Sequence, residues 1–300
     1  MDREIFTTPE SRFEDVPDYD YDVERIAVTD DGAEMAYVDI PGNGSETFLL
    51  LHGEPTWGFL YRELIPPLSE YGRVVVPDAL GCGHSDKYLE TEAYSFDLHY
   101  RSFERFLTGM DLDDVTLVCH DWGGILGLAL AGHHPDRFAR IVPMNTGLPD
   151  GTQEMSEDWQ KFASFVKRVD ELPIGMLIQN ATATDLSDDI LAAYEAPFPT
   201  EESKANARIW PHLIPQSPDD PGAETMQAAK ERLAEWDKPA FVLFSDADPI
   251  TGDSRDPIRE LIPTATDQPD IWIEDAMHFL QEDAGKRVAK EIADFVERTA

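Results

Sequence analysis

The sequence is short of basic residues, of cysteine and of long apolar runs. Lys and Arg number 24 against 60 Asp and Glu, a formal net charge of -36 over 300 residues. A surface of that sign repels phosphate backbones and anionic headgroups, which sets nucleic acid and membranes aside as partners. Cysteine occurs twice, at Cys82 and Cys119, without the spacing of a disulfide framework, and this fits a reducing cytoplasm. No apolar run approaches the ~20 residues of a membrane span. Met1-Asp2-Arg3-Glu4 lacks a basic region followed by an apolar stretch, so no secretory signal is read there. Internal repeats are absent as well.

The acidic surplus is spread along the chain, so an acidic tail does not account for it. It points to a protein that works in high salt, where counterions screen self-repulsion. With 42% hydrophobic residues the chain can bury a sizeable core, as one large domain or a domain with an insertion.

The richest stretch is Val115-Thr-Leu-Val-Cys-His-Asp121-Trp122-Gly123-Gly124. An apolar β-type run meets a polar dipeptide, then two glycines, then a small-residue helix pattern over residues 125–132. Strand, sharp turn and helix would lift the Asp121 side chain above a sheet, where a nucleophile elbow holds its attacking group. A serine elbow reads G-x-S-x-G; here Cys119 replaces the first glycine and Asp121 the serine. Asp before a helix is also a favoured N-cap, so the stretch alone supports both readings.

Elsewhere, residues 1–20 are acidic and expected to wrap the surface. Strands are predicted at 24–29 and 34–39, joined by an Asp30-Asp31-Gly32 turn, and at 47–51, 73–76, 140–144, 240–245 and 271–274. Helices are predicted at 94–110, 225–236 and 281–298. This alternation predicts a mostly parallel, twisted α/β sheet of about eight strands covered on both faces. From 148 to 218 the pattern turns irregular and proline-rich, with helical faces at Trp159, Phe162, Phe165 and Val166 and over 186–194. That stretch reads as an inserted helical lid on a core of 1–147 and 219–300.

Asp121, Asp248 and His278 each follow a predicted strand, and loops at the carboxyl ends of strands line one crevice. Singly, an Asp before Pro249 or a His near a strand end is an ordinary structural residue. Together, their order is that of nucleophile, acid and histidine in α/β-hydrolases. With His52-Gly-Glu-Pro-Thr-Trp57, Pro77-Asp78, Gly81-x-Gly-x-Ser-Asp86 and His278-Phe279-x-Gln281-Glu282, the chain resembles the haloalkane dehalogenases of the α/β-hydrolase superfamily over nearly its whole length. Ala196-Pro197-Phe198-Pro199 is similar to the subfamily that holds halide between two tryptophans.

The resemblance implies an α/β-hydrolase fold with a helical cap and no metal or cofactor. The substrate would be a small hydrophobic halogenated molecule, with water as co-substrate and halide as product. Asp121 would attack carbon, His278 would activate water against the resulting ester, and Asp248 would hold the imidazole. Backbone N–H groups of Trp122 and Glu54 would form the oxyanion site, and the Glu54 side chain would place the water. Trp122 would be one halide donor. The second is expected in the lid: Trp159 first, with Trp210 weaker, while one family position falls on Thr182. An epoxide hydrolase has the same Asp-His-Asp machinery and adds lid tyrosines, of which this lid has only Tyr194.

Overall fold

The computed structural model describes residues 4–300, so Met1–Arg3 of the N-terminal reading lie outside the described residues. The strands are β1 (Ile5–Phe6), β2 (Val23–Ala27), β3 (Glu34–Ile40), β4 (Glu46–Leu51), β5 (Gly72–Pro77), β6 (Lys87–Tyr88), β7 (Val115–His120), β8 (Phe138–Met144), β9 (Phe244–Ser245) and β10 (Trp272–Ile273). The helices are α1 (Ile65–Ser69), α2 (Phe96–Gly109), α3 (Asp121–His133), α4 (Glu157–Arg168), α5 (Ile174–Asn180), α6 (Asp188–Glu195), α7 (Ala205–Ile209), α8 (Ala223–Leu233), α9 (Arg255–Leu261) and α10 (Leu280–Thr299).

Six strands form one sheet in the order β2-β3-β5-β4-β7-β8. The β2–β3 hairpin turns at Gly32, whose φ of 89° suits a residue without a Cβ. From β5 to β8 the strands are parallel and rich in Val, Leu and Ile, because helices cover both faces. The chain predicts about eight strands in one sheet. Among the described residues the continuous ladder stops at six, and β9 and β10 pair separately beside it. Three hydrogen bonds join the 239–243 segment to β8: Ile141 N–H to Pro239 C=O, Phe241 N–H to Ile141 C=O, and Leu243 N–H to Pro143 C=O. Pro143 has no N–H to return, so the ladder breaks at the residue that would continue it.

Between β8 and α8 the chain leaves the sheet and builds α4 to α7 above its carboxyl edge. On α4, Ala163 and Val166 are buried while Trp159, Phe162 and Phe165 are half-buried, so the apolar stripe faces inward as its spacing requires. Ser156 and Ser187 cap α4 and α6 through their side chains. The short helices α5 and α7 escape the periodicity reading because they span fewer than two turns or little more. The N-terminal segment does wrap the surface, and it also ties the two parts together. Thr8 Oγ1 donates to Pro197 C=O at 2.7 Å and Arg12 Nε to Ala196 C=O at 3.2 Å.

Candidate active site

Asp121 sits where β7 becomes α3, with a φ of 51°. A left-handed conformation costs an L-residue about 1–2 kcal/mol, and the neighbours here hold it in place. Its N–H donates to Asn145 C=O at 3.1 Å, and Thr146 Oγ1 donates to its C=O at 2.7 Å. The turn is possible only with close backbone passage. A Cβ on Gly123 would stand 2.2 Å from Leu51 O, and one on Gly53 would stand 2.2 Å from Asp121 Oδ1. The N-cap reading of Asp121 does not hold, because the cap position falls on His120. The Asp121 carboxylate reaches across to β4's loop, where Glu54 N–H donates to Oδ1 at 2.7 Å. The Trp122 backbone N–H also serves it.

His278, in the loop between β10 and α10, faces Asp121 Oδ2 through Nε2 at 3.5 Å. Its Nδ1–H donates to the Asp248 carboxylate, 3.1 Å from Oδ2 and 3.2 Å from Oδ1. Asp248 follows β9 and accepts from Ile250 N–H at 2.9 Å, Thr251 N–H at 3.2 Å and the Thr251 hydroxyl. Three residues predicted from separate stretches therefore meet in one chain of contacts.

Their electrostatics follow from burial set against partners. Burial alone would raise Asp248, but the His278 imidazolium and these hydrogen bonds bring it down to about 2. Burial alone would lower His278, but the Asp248 and Asp121 carboxylates raise it to about 10. Asp121, likewise buried, is held below the usual carboxylate range, chiefly by His278. Glu54 goes the other way. Burial, and then the Asp121 charge, push its carboxyl well above the usual range, and Oε1 has no hydrogen-bond partner among the described residues. Two neighbouring carboxyls are thus shifted in opposite directions, Asp121 down and Glu54 up.

A cavity of about 890 Å³ opens above these groups, lined by Glu54, Asp121, Trp122, His278 and the α4 residues Trp159 and Phe162, among others. Trp159 therefore shares the cavity with Trp122, as the first of the lid alternatives. Trp210 does not line it. It stacks on Trp122 with centroids 5.5 Å apart and planes 19° apart, so it sets the plane of that indole from behind. Thr182 spends its hydroxyl on cap carbonyls, Gln179 C=O among them at 3.1 Å. Tyr194 is buried away from the cavity and donates its hydroxyl to Glu282, which also pairs with Arg62. The lid's one tyrosine is thus committed elsewhere, and nothing here favours epoxide opening.

Several positioning residues escape the sequence reading. His120 Nε2 donates to His278 C=O at 2.8 Å, and Asn145 Nδ2 donates to the same oxygen at 2.9 Å and to Met277 C=O at 3.0 Å. Ser245 Oγ adds a bond to Met277 C=O at 2.7 Å. Their only signal in the sequence is position: His120 and Ser245 end the strands that deliver Asp121 and Asp248, and Asn145 directly follows β8, the strand beside β7.

Comparison with known proteins agrees with this geometry. Residues 46–284 match the model of the alpha/beta hydrolase fold family. A haloalkane dehalogenase of Psychrobacter cryohalolentis is 40% identical over 97% of this chain and 98% of its own. Haloalkane dehalogenase 1 of Mycobacterium bovis is 39% identical over 99% of this chain and 100% of its own. The solved haloalkane dehalogenase of Paraglaciecola agarilytica NO2, a tetramer, superposes with a TM-score of 0.90 at 33% identity, covering 96% of this chain and 97% of that one. The chain belongs to the haloalkane dehalogenases, hydrolases of the α/β-hydrolase fold.

Proposed function

We propose that this enzyme releases halide from haloalkanes in two steps on Asp121. The observation that carries the reading is a carboxylate at a strained elbow, shifted toward its charged form, with Glu54 N–H on Oδ1 and the imidazole on Oδ2. A carboxylate needs no base to attack an sp3 carbon. Oδ2 displaces halide and forms an alkyl ester, while Oδ1 remains the carbonyl oxygen. Water, losing its proton to His278 Nε2, then attacks the ester carbon, and Glu54 and Trp122 N–H hold the charge that develops on Oδ1. Collapse expels the alcohol, which takes its proton from His278 and carries the former Oδ2. Water's oxygen stays in Asp121.

Esterification also readies the base. His278 is raised in part by the Asp121 charge, and that charge disappears when the ester forms. The imidazole then sheds its proton more readily at the step that needs it neutral. Burial and the Asp121 charge raise Glu54, which weakens the case for a second charge against the nucleophile, and its side chain lines the cavity where it can place the water.

Charge develops on the leaving halogen in the first step, so donors aimed there lower the barrier. The indole N–H groups of Trp122 and Trp159 fill this role from floor and roof of one cavity, and an indole is a donor only. Residues 148–218 act as the lid that keeps bulk water out. Two buried free thiols suit a reducing cytoplasm. The charge of -36 suits a high-salt interior, to be checked by a melting temperature that rises from low to molar KCl. The enzymatic reading is tested by bromide release from 1-bromobutane beside diol formation from styrene oxide. Halide release without diol is expected; diol alone would overturn it.

A further inference from the structure

We infer that Asp283 is a positioning residue that couples seating of the cap to the His278 base, an inference that rests on the two-step reading above. Asp283 lies in the first turn of α10, five residues after His278, and its side chain serves three backbone donors outside its own helix. Met277 N–H donates to Oδ2 at 2.9 Å, Ala183 N–H to Oδ2 at 3.0 Å and Thr184 N–H to Oδ1 at 2.7 Å. The first donor immediately precedes His278. The other two belong to the cap loop between α5 and α6. One carboxylate therefore bridges the base-bearing loop and the lid.

The bridge has a parallel strut. Phe279 N–H donates to Ala181 C=O at 3.1 Å, again from the His278 loop to the same cap loop. On the opposite side the loop is held by its carbonyls. Asn145 and Ser245 bind Met277 C=O, and Asn145 and His120 bind His278 C=O. The carbonyl side is thus anchored to the sheet, and the N–H side to the cap through Asp283. An acid in a first helical turn also interacts with the helix dipole. Dipole stabilisation alone would not require both oxygens to be spent on two other segments.

The chemistry predicts where a loss would be felt. Asp121 attacks carbon without help from His278, so loosening the His278 loop leaves alkylation intact. Hydrolysis needs Nε2 aimed at a water on the ester carbon, and displacement of such a group by about 1 Å can cost up to 100-fold. Removing Asp283 should therefore slow the second step selectively. A residue that merely stabilises the fold would slow both steps alike or neither.

The test is rapid-quench kinetics of the full-length enzyme with 1-bromobutane, in molar potassium glutamate to supply salt without halide. The bromide burst reports alkylation, and intact mass of the butyl-enzyme reports hydrolysis. Asp283→Ala should keep its burst rate within about twofold and lose roughly tenfold or more in decay of the adduct. Asp283→Asn keeps the volume and one acceptor, and should shift the same step in the same direction with a smaller fall in Tm. It decides the question if the alanine variant does not fold. Equal slowing of both steps, or no change in adduct decay, overturns the inference. His278→Gln, run alongside, separates the two levels. If that variant accumulates adduct and the Asp283 variants do not slow decay, only the coupling fails. If His278→Gln forms no adduct, the two-step reading fails and takes the coupling with it.

Discussion

The floor and the roof of the cavity are built on different principles. On the floor, each working side chain stands at a strand end, and the sheet decides where the backbone goes. Asp121 is forced into a left-handed turn by the passage of Gly123 under Leu51, and His278 is fixed by hydrogen bonds to both carbonyls of its loop. On the roof, Trp159 and Phe162 project half-buried from α4, a helix packed on the cavity rather than a strand of the sheet. The floor therefore carries the bond-making steps, where small displacements are costly. On the proposed mechanism the roof supplies one donor and the shape of the pocket, where variation is tolerated.

Substitutions along the path from floor to roof sharpen this contrast, and the expected effects decline along it. Asp121→Ala should abolish halide release altogether, since among the described residues no other carboxylate lining the cavity contacts the His278 imidazole. His278→Gln should release one equivalent of bromide and stop, with the alkyl mass retained on the protein. If Trp122 is a halide donor as proposed, Trp122→Phe should, by analogy with oxyanion sites, cost about 100-fold or more in the first step. Trp159→Phe should also weaken the first step, by a smaller factor, on the order of tenfold, and bromide should quench indole fluorescence less in that variant. Thr182→Val should change the rate little, because its hydroxyl serves cap carbonyls. A harmless Trp159→Phe with a damaging Thr182→Val would reverse the assignment of the roof.

Compared between wild type and a floor variant, the pH dependence of stability probes the floor. His278 is raised from 6.5 to about 10 in the folded enzyme, so its contribution is fully present below pH 6.5 and is lost as pH rises through about 10. Asp248 is lowered to about 2, so its contribution is present above the unfolded value near 3.8 and is lost as pH falls toward 2. Thermal unfolding of His278→Gln between pH 7 and 10 should be flatter than that of the wild type. A parallel pair of curves would mean that His278 is not an imidazolium in the resting fold.

The floor was legible in the sequence because strand-end chemistry leaves local marks. An apolar run, a polar pair and two glycines announce Asp121 without reference to any distant residue. Asp248 and His278 follow strand patterns in the same way, and only their meeting required the fold. Positions held by long-range hydrogen bonds left no such mark. Asn145, Ser245 and Asp283 read as ordinary loop and helix residues until the sheet brings residues about 100 apart into contact, as with Asn145 Oδ1 accepting from Ser245 N–H at 2.9 Å. The roof was half-legible. The α4 stripe follows helical periodicity, but α5 and α7 are too short to show a period, and the resemblance narrowed the second donor only to Trp159 and, more weakly, Trp210, one family position falling on Thr182. In the sheet, Pro143 was visible as a residue, but its effect on the ladder depends on which edge its missing N–H would have faced.

The central claim is that Asp121 itself makes the bond to carbon. It is tested most directly by a single turnover of 1-bromobutane in water enriched with oxygen-18, with enzyme in excess over substrate. The two-step account predicts that the butanol of this first turnover carries oxygen-16, taken from Asp121 Oδ2, and that one oxygen-18 appears in the peptide containing Asp121. Oxygen-18 in the first-turnover alcohol, with an unlabelled Asp121 peptide, would mean that water attacks the carbon directly and would contradict the account.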